Sequence, residues 1–135
     1  MPLLLDTCAA IWTAEDELDE NAVDLIGDAV TKDELIHVSA ITAWEIGLLV
    51  ARGRITSSLH PLAWFRQFTA ASEIAVVDLS PEILVASSFL PDCPLKDPAD
   101  RIIVASAREN AFTIMTRDRA ILTYADAGHV RAVRC

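Results

Sequence analysis

Apolar residues along the chain follow two rhythms. Short continuous runs alternate with longer stretches in which apolar side chains recur every three or four positions. The runs predict strands over residues 2–5, 35–38, 74–79, 112–115 and 130–133. The periodic stretches predict a helical turn over 7–13 and helices over 17–30, 41–52, 62–71, 81–90, 98–110 and 117–124, with a loop over 91–94. Punctuation agrees. Ser80 precedes Pro81 and Asp97 precedes Pro98, each a capping side chain followed by proline at the first helical position. Gly53 follows the helix over 41–52, where a terminal glycine is favoured. Apolar strands alternating with helices imply a mainly parallel sheet covered on both faces, a three-layer α/β/α sandwich. A length of 135 residues with no repeat and no linker suits one domain over residues 1–135.

One helix breaks its own pattern. Ile103, Val104, Ala107 and Ala111 follow Asp100 at the helical spacings that share its face. Asp100 therefore heads the stripe that faces the core. Asp97 is explained as an N-cap, and Asp100 is either its capping-box partner or a functional group. Glu45 poses the same question, because Ile41, Leu48 and Leu49 share its face and Arg52 is the one distant base along it. Asp6 ends the first strand, and Asp118 stands two residues past "FTIMT". Either could merely cap a helix or face its dipole. Ligands of open parallel sheets, however, bind beyond the carboxyl ends of the strands.

A buried carboxylate must be paired, hydrogen-bonded or metal-bound; otherwise its pKa rises until it is neutral. Four acids converging without matching lysines fit a hard divalent cation such as Mg²⁺ or Mn²⁺, which takes oxygen ligands. Such ions activate water and neutralise charge on a phosphodiester. The N–H groups and dipole of the helix start are expected to keep Asp100 ionised at neutral pH.

Charge qualifies this picture. The formal net charge of -9 argues against nucleic-acid binding through a broad basic surface. Yet residues 15–34 hold nine of the twenty acids with one base, Lys32, which reads as a solvated helix face. The rest of the chain has eleven acids and ten bases and is nearly neutral, so a polyanionic substrate is not excluded there. Arg101, Arg117 and Arg119 flank the acids and could hold neighbouring phosphates, with Arg52 and Arg54 as weaker candidates. No apolar run approaches the ~20 residues that span a bilayer, and "MPLLLDTCAAIW" lacks a basic leader. A cytoplasmic location without membrane contact is expected. Cys8, Cys93 and Cys135 match no metal or disulfide spacing. They are expected to be reduced thiols, with Cys8 buried and Cys135 frayed. Trp44, Trp64, Phe65 and Phe68 lie on helices, and some of them are expected on a partner surface.

Two other classes lack their residues. A receiver domain needs an adjacent acidic pair after its first strand and a late lysine; here Thr7 follows Asp6, and no lysine follows Lys96. An aspartate-nucleophile phosphatase needs a second Asp two places on, where this chain has Cys8.

"LLLDT", "SAITAWEI", "LKDPADRIIVASA" and "TRDRAI" together resemble, in order and spacing, the PIN-domain ribonucleases. More narrowly they resemble the VapC toxins of type II toxin–antitoxin modules. The resemblance spans essentially the whole chain and implies a metal-dependent endoribonuclease acting on RNA, a cognate antitoxin and a homodimer. It places the acidic metal ligands on Asp6, Glu45, Asp100 and Asp118, with Thr7, Asp97 and Thr116 supporting them. Lys96 stands where many relatives have histidine. The alternative within the same fold is a catalytically silent scaffold that acts as a binding module.

Overall fold

The computed structural model describes residues 1–135. In chain order the elements are β1 (Leu3–Leu5), α1 (Thr7–Ala14), α2 (Glu20–Thr31), β2 (Ile36–Ser39), α3 (Ile41–Ala51) and α4 (Pro61–Thr69). They continue as β3 (Ile74–Val77), α5 (Pro81–Ser88), α6 (Pro98–Asn110), β4 (Thr113–Thr116), α7 (Arg119–Asp126) and β5 (Arg131–Arg134). Every strand pairing is parallel, and the order across the sheet is β3-β2-β1-β4-β5. The expected three-layer α/β/α sandwich is the one observed.

The side-chain alternation of β1 divides the core. Leu4 faces a cluster built with Ile83 of α5, Ile103 and Val104 of α6, and Ile121 and Tyr124 of α7. Leu3 and Leu5 face the opposite layer, with Ala9 and Ala10 of α1, Ala22 and Ala29 of α2, and Phe65 of α4. Successive strand residues point to opposite faces, so one short apolar strand serves both layers. Helix α3 contributes Ile41 to the first cluster and Ala43 to the second. It therefore lies across the margin between the two layers.

Boundaries move where a cap decides them. Helix α2 starts at Glu20, not residue 17, because Asp19 accepts from Ala22 N at 2.8 Å. Helix α7 starts at Arg119, not residue 117, because Asp118 is its cap and accepts from Ile121 N at 3.0 Å. The ends of the other strands and helices shift by a residue or two.

Two consequences of the strand order position the site. The chain progresses from β1 outward to β3 on one side and through β4 to β5 on the other. The switch point lies between β1 and β4, where a crevice opens at the carboxyl ends of the strands. At the end of α3, Arg54 N donates to Leu49 O at 2.9 Å and Gly53 N to Val50 O at 3.0 Å. This is a Schellman motif, and it places Gly53 at φ +67. Gly53→Ala is expected to cost about 1–2 kcal/mol of stability by urea denaturation, because only glycine adopts that conformation freely, and Gly53→Asn less.

Candidate metal centre

Asp6 leaves β1 at the switch point and is only 6% exposed. It caps α1, with Oδ1 accepting from Ala9 N at 2.8 Å. Its Oδ2 accepts from the Thr116 hydroxyl at the end of β4. The same Thr116 oxygen accepts from Asp118 N at 2.9 Å. One threonine thus joins the acid after β1 to the acid after β4. Across the crevice the Thr7 hydroxyl donates to Glu45 Oε1 and lies 3.1 Å from the Thr42 hydroxyl. Glu45 is half-buried in the middle of α3.

Asp6, Glu45, Asp100 and Asp118 line one cavity of about 260 Å³ together with Thr7, Cys8, Trp12 and Arg117. The four acids singled out in the sequence therefore meet in space, each from a different element. Thr7 and Thr116 hold two of them. Asp97 caps α6, accepting from Ala99 N at 2.8 Å and Asp100 N at 3.4 Å. It also does more than a cap, because one carboxylate oxygen each from Glu45, Asp97 and Asp100 lie within 4.8 Å of one another. In the sequence, Asp97 reads as a cap that supports the ligands, and nothing there places its carboxylate level with those of Glu45 and Asp100. The capping explanation used one oxygen of Asp97 and left the other unconsidered. The reciprocal capping-box bond from Asp100 does not form; its carboxyl has no hydrogen-bond donor.

No base neutralises these acids. The only ion pair in the chain joins the Met1 amino group to Glu34 at 3.8 Å, so Arg52 does not pair with Glu45. Burial pushes the carboxyls of Asp6 and Glu45 above their usual range, and the Thr116 and Thr7 hydroxyls pull them part of the way back. Asp100 has no such help. Burial first, then the charges of Asp97, Asp118, Glu45 and Asp6, raise it from 3.8 to about 7. The helix start therefore does not keep Asp100 fully ionised by itself: desolvation and then crowding bring it to about half protonation at neutral pH.

The thiols also depart from expectation. Cys8 is exposed rather than buried, and Cys135 is buried rather than frayed. Cys135 N donates to Thr116 O at 3.2 Å, which extends the β4–β5 pairing by one residue. Although Cys8 is exposed to solvent, partial desolvation of its thiol and the nearby charges of Asp6, Glu45 and Asp100 push it up to about 11, so it stays protonated beside the cluster.

The arginines divide. Arg101 is corrected as a phosphate candidate. Its Nε donates to Ser87 O and a terminal nitrogen to Leu95 O, both at 2.8 Å, tying the end of α5 to the loop before α6. Arg117 lines the acid cavity but donates to Cys135 O at 2.6 Å and Glu17 O at 3.1 Å. Its guanidinium also lies 3.9 Å over the Trp12 ring. Arg119 is exposed at the first position of α7.

The donor set fits a hard cation: it is all carboxylate oxygen, desolvated at Asp6, Glu45 and Asp100, mutually repelling and ion-paired to no base of the chain. Fold and cluster together define an α/β/α domain with an acidic centre at the switch point of a parallel sheet. A PIN-domain family model matches residues 3–127, and the chain belongs to the PIN-domain family. Over 123 residues it is 29% identical to Ribonuclease VapC22 of Mycobacterium tuberculosis (strain ATCC 25618 / H37Rv), covering 90% of this chain and 91% of that one. In fold it resembles VapBC2 from Rickettsia felis bound to a promoter DNA fragment, with a TM-score of 0.70, 15% identity and coverage of 99% and 98%. DNA-bound VapBC from Salmonella typhimurium is similar at a TM-score of 0.70, 16% identity and the same 99% and 98% coverage.

Two outcomes follow from this geometry. A carboxyl whose pKa rises on folding binds its proton more tightly when folded. For Asp100 the resulting stability is complete below 3.8 and is lost as pH rises through about 7. In EDTA, the wild-type melting temperature should therefore fall more steeply between those values than that of Asp100→Asn. Equal slopes would assign the loss to other groups. Arg101→Ala strands two carbonyls and is expected to cost about 1–3 kcal/mol by urea denaturation.

Proposed function

We propose that this chain is a metal-dependent endoribonuclease, the toxin of a toxin–antitoxin pair, with Asp6, Glu45, Asp100 and Asp118 holding the cation. The observation that carries this reading is the meeting of those four acids in one cavity with none of them ion-paired to a base of the chain. The identity to a named VapC ribonuclease over nine-tenths of the chain supports RNA as the substrate. The likeness to DNA-bound VapBC complexes supports a cognate antitoxin. A homodimer is inferred from the family resemblance. No helix is long and apolar enough to cross a membrane.

A bound Mg²⁺ or Mn²⁺ would supply Lewis-acid activation of water and charge neutralisation at the phosphodiester. The chain's own groups do the positioning. Thr116 and Ala9 N fix both oxygens of Asp6. Thr7 orients Glu45. The cap of α7 fixes one oxygen of Asp118 and leaves the other free. Asp100 has no hydrogen-bond donor of its own, so its carboxyl is the freest to turn toward a cation or an attacking water. The exposed Asp97 adds a further oxygen beside Glu45 and Asp100.

Purified protein, freed of any partner, is expected to cut a structured RNA with Mg²⁺ or Mn²⁺ and to lose at least ~100-fold of that rate in EDTA, since several kcal/mol of charge stabilisation depend on the ion. Asp100→Asn should abolish cleavage with its circular dichroism unchanged. Millimolar Mg²⁺ should raise the wild-type melting temperature and do much less for Asp100→Asn. Cleavage undiminished by EDTA, or equal thermal shifts in the two proteins, would overturn the metal assignment.

A further inference from the structure

A second groove adjoins the acid cavity. It has a volume of about 380 Å³ and is lined by Trp44, Leu48, Leu49, Arg52, Arg54 and Pro98. Glu45 and Asp97 also line it, and Glu45 lines the acid cavity as well. The two spaces therefore share a wall. We infer that this groove is a subsite for unpaired RNA next to the scissile phosphate, with a base stacked on Trp44 and flanking phosphates on Arg52 and Arg54. The inference rests on the nuclease reading above and adds to it where the neighbouring nucleotides go.

Three observations carry it. Trp44 is 52% exposed, whereas the stacked rings of this chain are His37 on Phe112, Trp64 on Phe68 and Tyr124 on His129. An aromatic face beside a reactive centre offers a stacking platform to any base. Second, Arg52 and Arg54 have no ion-pair partner, since the one ion pair is Met1 with Glu34. The Schellman turn at Gly53 fixes the backbone that carries both arginines at the groove. Third, the charges are ordered. Glu45 borders the acid cavity as well as the groove, and Arg52 stands seven residues further along α3, about 10 Å away at 1.5 Å per residue. A strand with its scissile phosphate over the acids, neutralised by a cation, would have its next phosphates drawn to the arginines. A duplex fits this poorly, because its paired bases present no free face to Trp44.

The test is cleavage of a fluorescein-labelled single-stranded oligoribonucleotide in Mn²⁺ across a salt series. Trp44→Ala should raise KM about 5- to 100-fold, with kcat nearly unchanged because this contact is made equally before and during reaction. Trp44→Phe should recover most of the loss. The double variant Arg52→Ala/Arg54→Ala should reduce the slope of log(kcat/KM) against log salt by about 1.4, two contacts to a single strand. Unchanged KM and slope in variants that still cleave would overturn the subsite and leave the nuclease reading standing. A wild type that cleaves no RNA would overturn both. If Trp44→Ala leaves KM alone but converts an oligomer to a monomer in sedimentation, the groove is a protein interface and the inference fails.

Discussion

Asp6 is an acid buried at the end of an otherwise apolar strand, and the hydroxyl of Thr116 makes that arrangement tolerable. The hydroxyl donates to Asp6 while its oxygen accepts from Asp118 N. One side chain therefore compensates the desolvation of one carboxylate and sets the backbone from which a second projects. Threonine suits this place for two reasons. Its β-branched body favours a strand end, and its hydroxyl both donates and accepts. Thr7 plays the matching part for Glu45 on the other side of the crevice. Parallel pairing of β1 with β4 brings Asp6, Thr7, Thr116 and Asp118 to the same end of the sheet. The pairing of β1 with β2 brings α3, with Glu45, to that end as well.

The remaining repulsion is not relieved by the chain. Asp6, Glu45 and Asp100 all rise above their ordinary pKa values, with burial as the leading cause in each. A fold stabilised only for its own sake would place a lysine or arginine among them. The nearest base, Arg117, is bonded to backbone carbonyls and lies over Trp12. Its positive charge borders the cavity without pairing with a carboxylate. Such unrelieved charge is what a divalent cation can stabilise on binding.

Much of this was legible in the sequence, for physical reasons. Strands buried on both faces read as apolar runs, and the long helices read as periodic stripes; both signals are local. Asp100 and Glu45 stood out because each interrupted such a stripe. What failed depended on distance in space. Arg101 follows Asp100 in sequence, but neighbours on a helix point ~100° apart, and its guanidinium serves the loop before α6. The ionisation of Asp100 was misjudged because the helix start is visible in the chain, while three of its four crowding carboxylates, Asp118, Glu45 and Asp6, come from distant parts of the sequence. Cys8 follows Asp6 and Thr7 in an apolar context, yet the first turn of α1 opens onto the cavity and leaves it exposed.

The strongly acidic composition looks at first like an obstacle to handling a polyanion. Its distribution removes most of the difficulty. All of the acids of residues 15–34 are exposed except the half-buried Glu34. They lie on or beside α2, which packs on the layer shared with α1 and α4. Exposed charges are screened over about 8–10 Å at physiological salt, so those of this stretch that bear on the crevice are the ones near Arg117, which donates to Glu17 O at 3.1 Å. What an anion meets at the crevice is therefore decided by its immediate surroundings: carboxylates that no base of the chain neutralises, and arginines whose charges are not paired with acids. Net charge describes how the whole molecule behaves in solution, whereas the chemistry available at the switch point depends on which few groups the parallel sheet brings within reach of one another.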